Sequence, residues 1–467
     1  MQLAQKIHQG NPLDLTEVRS RIALFLGRSD CLACMRVSRD WFRDFVRPVW
    51  HTIDFSKDAL AFSTLSSDTL NKYGGYISDA LNITILQNVQ ALQHAKVDSL
   101  KVLQVHLGKN WLFRSMLSDL LRRSHGSTTS LSFRGDTPVP DTLDEQRNRA
   151  INYMSVNDMF APFPSFTDRG SGANFGSRLT TLSLTHICFT REGFSSLLQY
   201  CPSLDKLALD RVIILYHKNT IPLYTGSKLR FLSSSFAQAW VLDTLDVTAP
   251  HLLNHFPLLE QWNITSLGRP STWMTTDPIR VNFSLCCPLL KTITFGGTEN
   301  TRMISDLLQT NFKDLESCRL SVHSLDMSTT LGLIGHLDTL TSITITDKLQ
   351  VAEPMPWFYL IPKVCRRLQV LSLESFALDI ECVEENRWGC QDLRELRVQF
   401  KDLDAPHDID ACLKKVCDRK RIGGAAPSRP MDKDITLTRV HQHLLQFKKL
   451  RIVWLGTKDY YLPPSTV

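Results

Sequence analysis

The segment SRLTTLSL, residues 177–184, sets leucines at Leu179, Leu182 and Leu184, and much of the chain returns to the same spacing. It recurs as PSLDKLAL (202–209), PLLKTITF (288–295), KDLESCRL (313–320), DTLTSITI (338–345), RRLQVLSL (366–373), QDLRELRV (391–398) and KKLRIVWL (448–455). An earlier copy is DSLKVLQV, with Leu100, Leu103 and Val105. Aligned on the middle apolar residue, the copies give Leu182, Leu207, Leu232, Ile293, Cys318, Ile343, Leu371 and Leu396. The step is about 25 residues, with some longer, a period typical of stacked repeat architectures.

The last two apolar positions of each phrase are two apart, so they share one side of a short strand. Between phrases come helical stretches such as Thr190–Tyr200, whose Phe194, Leu197 and Leu198 form an apolar face. A lone strand and helix cannot bury these faces, but stacked copies can. The expected fold class is therefore α/β, a solenoid with a curved parallel sheet inside and helices outside. Cysteines precede several phrases: Cys201, Cys287, Cys365 and Cys390. Loop insertions are expected near 135–178, which is rich in Pro and Gly, and over 404–434, where KKVCDRKRIGGAAPSRP is basic and then Gly/Ala/Pro-rich. That basic run reads as a solvated loop, with nuclear targeting or anion binding as the alternatives.

Upstream of the repeats, residues 12–50 read PLDLTEVRSRIALFLGRSDCLACMRVSRDWFRDFVRPVW. Leu15, Val18, Ile22, Phe25 and Leu26 predict one apolar helix face. Gly27 is expected to stop that helix, and Ser29 or Asp30 to cap a second carrying Leu32, Met35 and Val37. Ser38 is expected to cap a third, with Trp41, Phe42 and Phe45, which Pro48 would end. About forty residues cannot bury this much apolar surface alone, so the unit needs a partner.

In order and spacing, Leu15, Glu17, Val18, Ile22, Leu26, Leu32, Cys34, Val37, Trp41 and Trp50 resemble the F-box. Thr16 stands where that family usually has Pro, and a Thr can cap the helix that Pro would have started. The resemblance covers roughly the first tenth of the chain, and cysteine-containing repeats are often found behind F-boxes. It implies an F-box domain over residues 1–60 and a leucine-rich-repeat solenoid over 61–467. Such proteins serve as substrate-recognition subunits of SCF-type cullin–RING ubiquitin ligases. The resemblance assigns adaptor docking to Leu15, Thr16, Val18, Ile22, Leu26 and Leu32. Expected partners are the SCF adaptor, through it the cullin–RING core, and a protein substrate. The alternative is a leucine-rich-repeat scaffold whose F-box-like cap is only structural.

Neighbours of the inward repeat residues should face solvent: Thr181, Ser183, Lys206, Ala208, Thr292, Thr294, Ser317, Arg319, Ser342, Thr344, Val370, Ser372, Glu395, Arg397, Ile452 and Trp454. Among them Lys206, Arg319, Glu395, Arg397 and Trp454 are the candidate substrate contacts, since charged and aromatic side chains anchor interfaces. Cys31 and Cys34 form a C-x-x-C without a second pair at zinc spacing, and Cys34 falls on a core position of the helical pattern. His251 and His255 lack the Glu of a zinc-protease motif, and His441 and His443 are an equally weak pair. No phosphate-loop, Rossmann or nucleophile-elbow motif occurs. No catalytic residue, metal or cofactor is expected, and the chain reads as a receptor rather than an enzyme.

Hydrophobic residues make up 43% of the 467, enough for a sizeable core. Lys and Arg number 53 against 47 Asp and Glu, a formal charge of +6, which argues for neither nucleic acid nor membrane. No secretory signal or membrane span is visible, so the 12 cysteines read as free thiols in the cytoplasm or nucleus. The sequons at Asn82, Asn263 and Asn282 then count as chance matches.

Overall fold

In the computed structural model the chain is mixed α/β, with long, mostly parallel sheet and helices around it. The structure describes residues 15–107, 116–135, 175–216, 227–241, 256–266, 287–309, 312–322, 327–347, 359–403, 435–455 and 459–462, less isolated positions within them, together with Leu13 and Lys414. Both expected insertions and the His251/His255 pair lie almost wholly outside those residues. Two compact units divide the chain, one built mainly from residues up to 204 and the other mainly from 205 onward.

The first unit opens with helices α1 (Thr16–Ala23), α2 (Arg28–Cys34) and α3 (Arg39–His51). Gly27 is the N-cap of α2 rather than the stop of α1, which has already ended at Ala23. Thr16 does not cap α1: Leu15 holds the N-cap position and Thr16 is the first helical residue, the place where proline is favoured. Ser38 caps α3 as expected, its side chain accepting from the Trp41 amide at 3.3 Å. Pro48 does not end α3 but lies inside it, and the helix continues because Val49 and Trp50 beyond the proline are buried. Aromatic packing holds this end: Trp50 stacks on Tyr73 at 5.2 Å and tilts against Phe62 at 6.3 Å.

α3 runs straight into β1 (Thr52–Asp54), followed by α4 (Phe55–Ser63), α5 (Ser67–Tyr73), β2 (Asp79–Ile83), α6 (Leu86–His94), β3 (Val102–Leu107), β4 (Ser130–Gly135) and β5 (Thr181–Thr185). These strands pair in parallel in chain order, matching Ile53, Ala80, Leu103, Leu131 and Leu182. All five side chains are buried, as are Trp50, Ile77, Leu100, Thr128 and Leu179 three residues earlier. Thr128 is the polar exception among these anchors. Its hydroxyl donates to the Leu100 and Ser124 carbonyls, so its burial leaves no unmade hydrogen bond.

In the second unit the strands are β6 (Cys188–Thr190), β7 (Lys206–Asp210), β8 (Ile213–Tyr216), β9 (Phe231–Ser235), β10 (Gln238–Val241), β11 (Gln261–Ser266), β12 (Thr292–Thr298), β13 (Ser317–Val322), β14 (Ser342–Asp347), β15 (Val370–Leu378), β16 (Glu395–Phe400), β17 (Ile452–Trp454) and β18 (Asp459–Tyr461). Its main sheet runs β7-β9-β11-β12-β13-β14-β15-β16-β17-β18, and β10-β8-β6 forms a small parallel sheet that the sequence reading did not anticipate. The matched row is Leu207, Leu232, Trp262, Ile293, Cys318, Ile343, Leu371, Leu396 and Val453. The last pair, β17 with β18, is antiparallel, so the sheet is not wholly parallel.

One backbone device repeats at each step. The residue just before a strand uses its carbonyl to accept two successive amides from the next strand. Asp205 O takes Arg230 N and Phe231 N, Arg230 O takes Glu260 N and Gln261 N, and Glu260 O takes Lys291 N and Thr292 N. The same pattern continues through Lys291, Glu316, Thr341, Gln369 and Arg394. Three residues before an anchor leucine, the carbonyls of Cys201, Phe256, Cys287, Cys365, Cys390 and Phe447 accept the anchor's amide and close the turn into the strand.

Candidate functional site

α1 and α2 leave their large apolar residues outside the core, whereas α3 buries Phe45, Val46, Val49 and Trp50. The buried side chains of α1 are Arg19 and Ala23, whereas Val18, Ile22 and Leu26 are half-buried and Leu15 and Thr16 are exposed. Leu24 is 80% exposed and Phe25 89%. Leu32 and Val37 also face solvent. Sequence reading missed Leu24 as part of this exposed set, because it falls off the i, i+3, i+7 stripe. It missed Arg19 as well. Arg19 Nε meets Asp44 Oδ2 at 2.6 Å, both side chains 4% exposed, and Arg19 also donates to the Leu13 carbonyl at 2.8 Å. This buried, hydrogen-bonded pair fixes α1 against α3 while a hydrophobic stripe faces outward. Removing one partner of such a pair leaves an uncompensated charge and costs about 3–5 kcal/mol.

Exposed aliphatic and aromatic side chains gathered on one face are the kind of patch that marks an interaction site or a ligand groove. Arg21, Arg36 and Arg39 are exposed around it, with Glu17 and Asp30 as nearby carboxylates. Cys31 is the buried cysteine of the C-x-x-C, and Cys34, expected in the core, is half-buried at the C-terminus of α2. Burial pushes the Cys31 thiol up.

The second candidate surface is the strand face opposite the core. Alternation puts Thr181, Ser183, Lys206, Ala208, Thr292, Thr294, Ser317, Arg319, Ser342, Thr344, Val370, Glu395, Arg397, Ile452 and Trp454 at half-buried or exposed positions. Ser372 is the correction, since it is only 3% exposed. It is matched to Thr344 on one side and Arg397 on the other, both with longer side chains.

Of the five candidate contacts, Glu395, Arg397 and Trp454 come together. Arg397 Nε meets Glu395 Oε1 at 2.6 Å, its second arm reaches Asp459 at 3.2 Å, and Trp454 is its register partner on β17. Arg319 lies on β13, three strands away, or about 14 Å. Lys206 on β7 stands apart, its ammonium 5.6 Å from the centre of the Phe231 ring. Asp459 was missed because β18 carries no repeat phrase.

The residues just before the strands form a column of alternating charge: Asp205, Arg230, Glu260, Lys291 and Glu316. Arg230 pairs with Asp205 at 2.6 Å and Lys291 with Glu316 at 3.0 Å. Those partners, helped by Glu260, hold both cations above their ordinary pKa values. The signal lies at the fourth residue of each eight-residue phrase, but it was legible only once the strands were aligned.

The cysteines that precede the phrases are buried thiols outside any disulfide. Burial pushes Cys201 and Cys390 up to about 12 and Cys365 to about 11, so these thiols stay protonated at neutral pH and pack as small apolar groups. His441 and His443 are buried on the helix Ile435–Leu445. Among the described residues no group of His, Cys, Asp and Glu is placed to hold a metal, and no helix is long and apolar enough to cross a membrane. No protein-family model matches the chain, and a search of curated proteins finds no match.

Proposed function

We propose that the chain is a substrate-receptor subunit of an SCF-type ubiquitin ligase, an F-box joined to leucine-rich repeats. The observation that carries this reading is the outward apolar set of α1, α2 and the turn between them, where Leu24 and Phe25 are almost fully exposed and α1 is pinned to α3 by a buried ion pair. A merely structural cap would turn that stripe inward. Trp50, the last residue of the F-box-like pattern, is also the first anchor of the strand ladder, so a docked adaptor would be coupled rigidly to the first strands. The repeats then hold a protein substrate on the strand face, and ubiquitin transfer belongs to other subunits. Tethering two partners raises their effective concentration without chemistry in this chain. The cytoplasm or nucleus is the proposed compartment.

The test is copurification with the SCF adaptor. Ile22→Asp places a charge into the half-buried centre of the stripe, and Phe25→Asp places one where the fold gains nothing from the ring. Both variants should lose the adaptor while keeping the wild-type circular dichroism spectrum. Wild-type recovery of adaptor by both would refute the assignment of that face.

A further inference from the structure

A cleft of about 340 Å³ opens in the first unit, lined in part by Arg47, His51, Tyr76, Ser78 and Lys101. We propose that it binds a phosphate monoester of a small soluble molecule, with Arg47 and Lys101 as the charged contacts and Ser78 as a hydroxyl donor.

His51, Ser78 and Lys101 are the residues just before β1, β2 and β3. The Ser78 amide donates to the His51 carbonyl at 2.9 Å, and the Lys101 amide to the Ser78 carbonyl at 2.7 Å. They therefore occupy in the first unit the column that carries alternating charge in the second. There Arg230 and Lys291 each have a carboxylate beside them. Here the column holds no carboxylate, and Arg47, one helical turn before His51 on α3, adds a further cation to the same side. Among the described residues neither Arg47 nor Lys101 has an ion-pair partner. Asp79, next to Ser78 in the chain, is taken up with His51 Nδ1 at 3.5 Å and the Thr52 hydroxyl at 3.2 Å, and neither it nor Asp98, next to Ser99, lines the cleft.

A second observation is independent of charge. Ser78 is 8% exposed, and its hydroxyl oxygen is buried without a hydrogen-bond partner. Buried hydroxyls in native proteins almost always have a partner, whether protein, ordered water or an ion, and Ser78 lines this cleft. A phosphate dianion supplies what this set lacks. Its three terminal oxygens can take a forked guanidinium, an ammonium and a hydroxyl at once, where a carboxylate has only two oxygens. The volume lies at the low end of small-molecule sites. Tyr76 offers an exposed ring beside it, and a Cβ added at the lining residue Gly75 would meet nothing within 4 Å, so the wall there is open.

The experiment is calorimetric titration of the full chain with inorganic phosphate and with phenyl phosphate at fixed ionic strength. The wild type should bind both saturably at one site, phenyl phosphate more tightly. Arg47→Gln and Lys101→Gln should each weaken binding about tenfold, the loss of one charged hydrogen bond. Gly75→Leu should abolish binding by filling the cleft, without unfolding the chain. Arg43→Gln, on α3 but outside the lining, is the control and should bind as wild type. Absence of saturation in the wild type, or equal weakening by Arg43→Gln and Arg47→Gln, would overturn the proposal.

Discussion

His443 gives the molecule a defined acid sensitivity. It is buried on the helix Ile435–Leu445, edge-on to Trp388 at 4.9 Å and to Phe447 at 5.2 Å. Its Nδ1 lies 2.6 Å from the Gln446 amide nitrogen, which must donate, so the ring is held as a neutral acceptor. Burial lowers the imidazole to about 4, against a weaker opposing pull from Glu384. The unfolded chain, with an ordinary value of about 6.5, accepts a proton that the folded chain refuses. Stability from this group is therefore complete above about pH 6.5 and drains away as pH falls towards 4. The whole gap is worth about 3 kcal/mol, of which about 2 kcal/mol has gone by pH 5. Urea midpoints for the wild type and His443→Leu, measured at about pH 7.5 and pH 5, isolate the effect, because carboxylates titrate alike in both proteins. The wild type should lose about 2 kcal/mol more than the variant between the two conditions. Equal losses would refute a neutral, desolvated His443.

Other consequences are open to direct measurement. Leu371→Ala, at a fully buried matched position, should cost about 2–5 kcal/mol, while Lys206→Ala on the opposite face should cost at most about 1 kcal/mol, the worth of an exposed cation over a ring; equal melting shifts would refute the strand phase. Gly74→Ala should destabilise by about 1–3 kcal/mol, because its Cβ would lie 1.8 Å from the Ala95 carbonyl oxygen, whereas Gly75→Ala next to it should be tolerated; matching denaturation curves would show that the backbones do not approach so closely. Arg397→Ala with Trp454→Ala should reduce substrate capture in cells while adaptor binding persists; an unchanged partner list would exclude the Glu395–Arg397–Asp459 cluster as a contact.

The repeat was legible wherever an anchor leucine stood three residues before an aliphatic or Cys middle position. It was not legible at Ile53, Ala80, Leu131 and Trp262, which hold the same register. Ala80 is too small to mark a core position by itself. Leu131 follows Thr128 where a leucine anchor was sought, and Trp262 fills its place while donating its indole N–H to Ser234 at 3.0 Å. In each case tertiary packing accepts a residue that pattern matching rejects. Pro48 was misread because its missing amide counts against a helix locally, whereas burial of Val49 and Trp50 outweighs that locally visible cost. The exposed apolar stripe was legible as apolar periodicity, but not its outward aim, which depends on the Arg19–Asp44 pair between helices distant in sequence. The Arg47–Ser78–Lys101 cleft could not be read at all before the strands were aligned, since its members are unremarkable residues far apart in the chain.

The two rows of the second unit obey different counting rules. The apolar row is matched without offset, so any repeat can sit against any other: Thr292 is matched to Ser317 and Ser317 to Ser342. As far as the core is concerned, a whole repeat can be lost or duplicated and the strands on either side will still fit. The charged column is not so permissive. Asp205, Arg230, Glu260, Lys291 and Glu316 alternate in sign, so loss of the repeat bearing Glu260 would set Arg230 beside Lys291 at one strand spacing, about 4.8 Å. Loss of two neighbouring repeats would restore the alternation. Over this stretch the core is indifferent to the number of repeats while the rim registers whether that number is odd or even, so changes in length there should be tolerated in pairs.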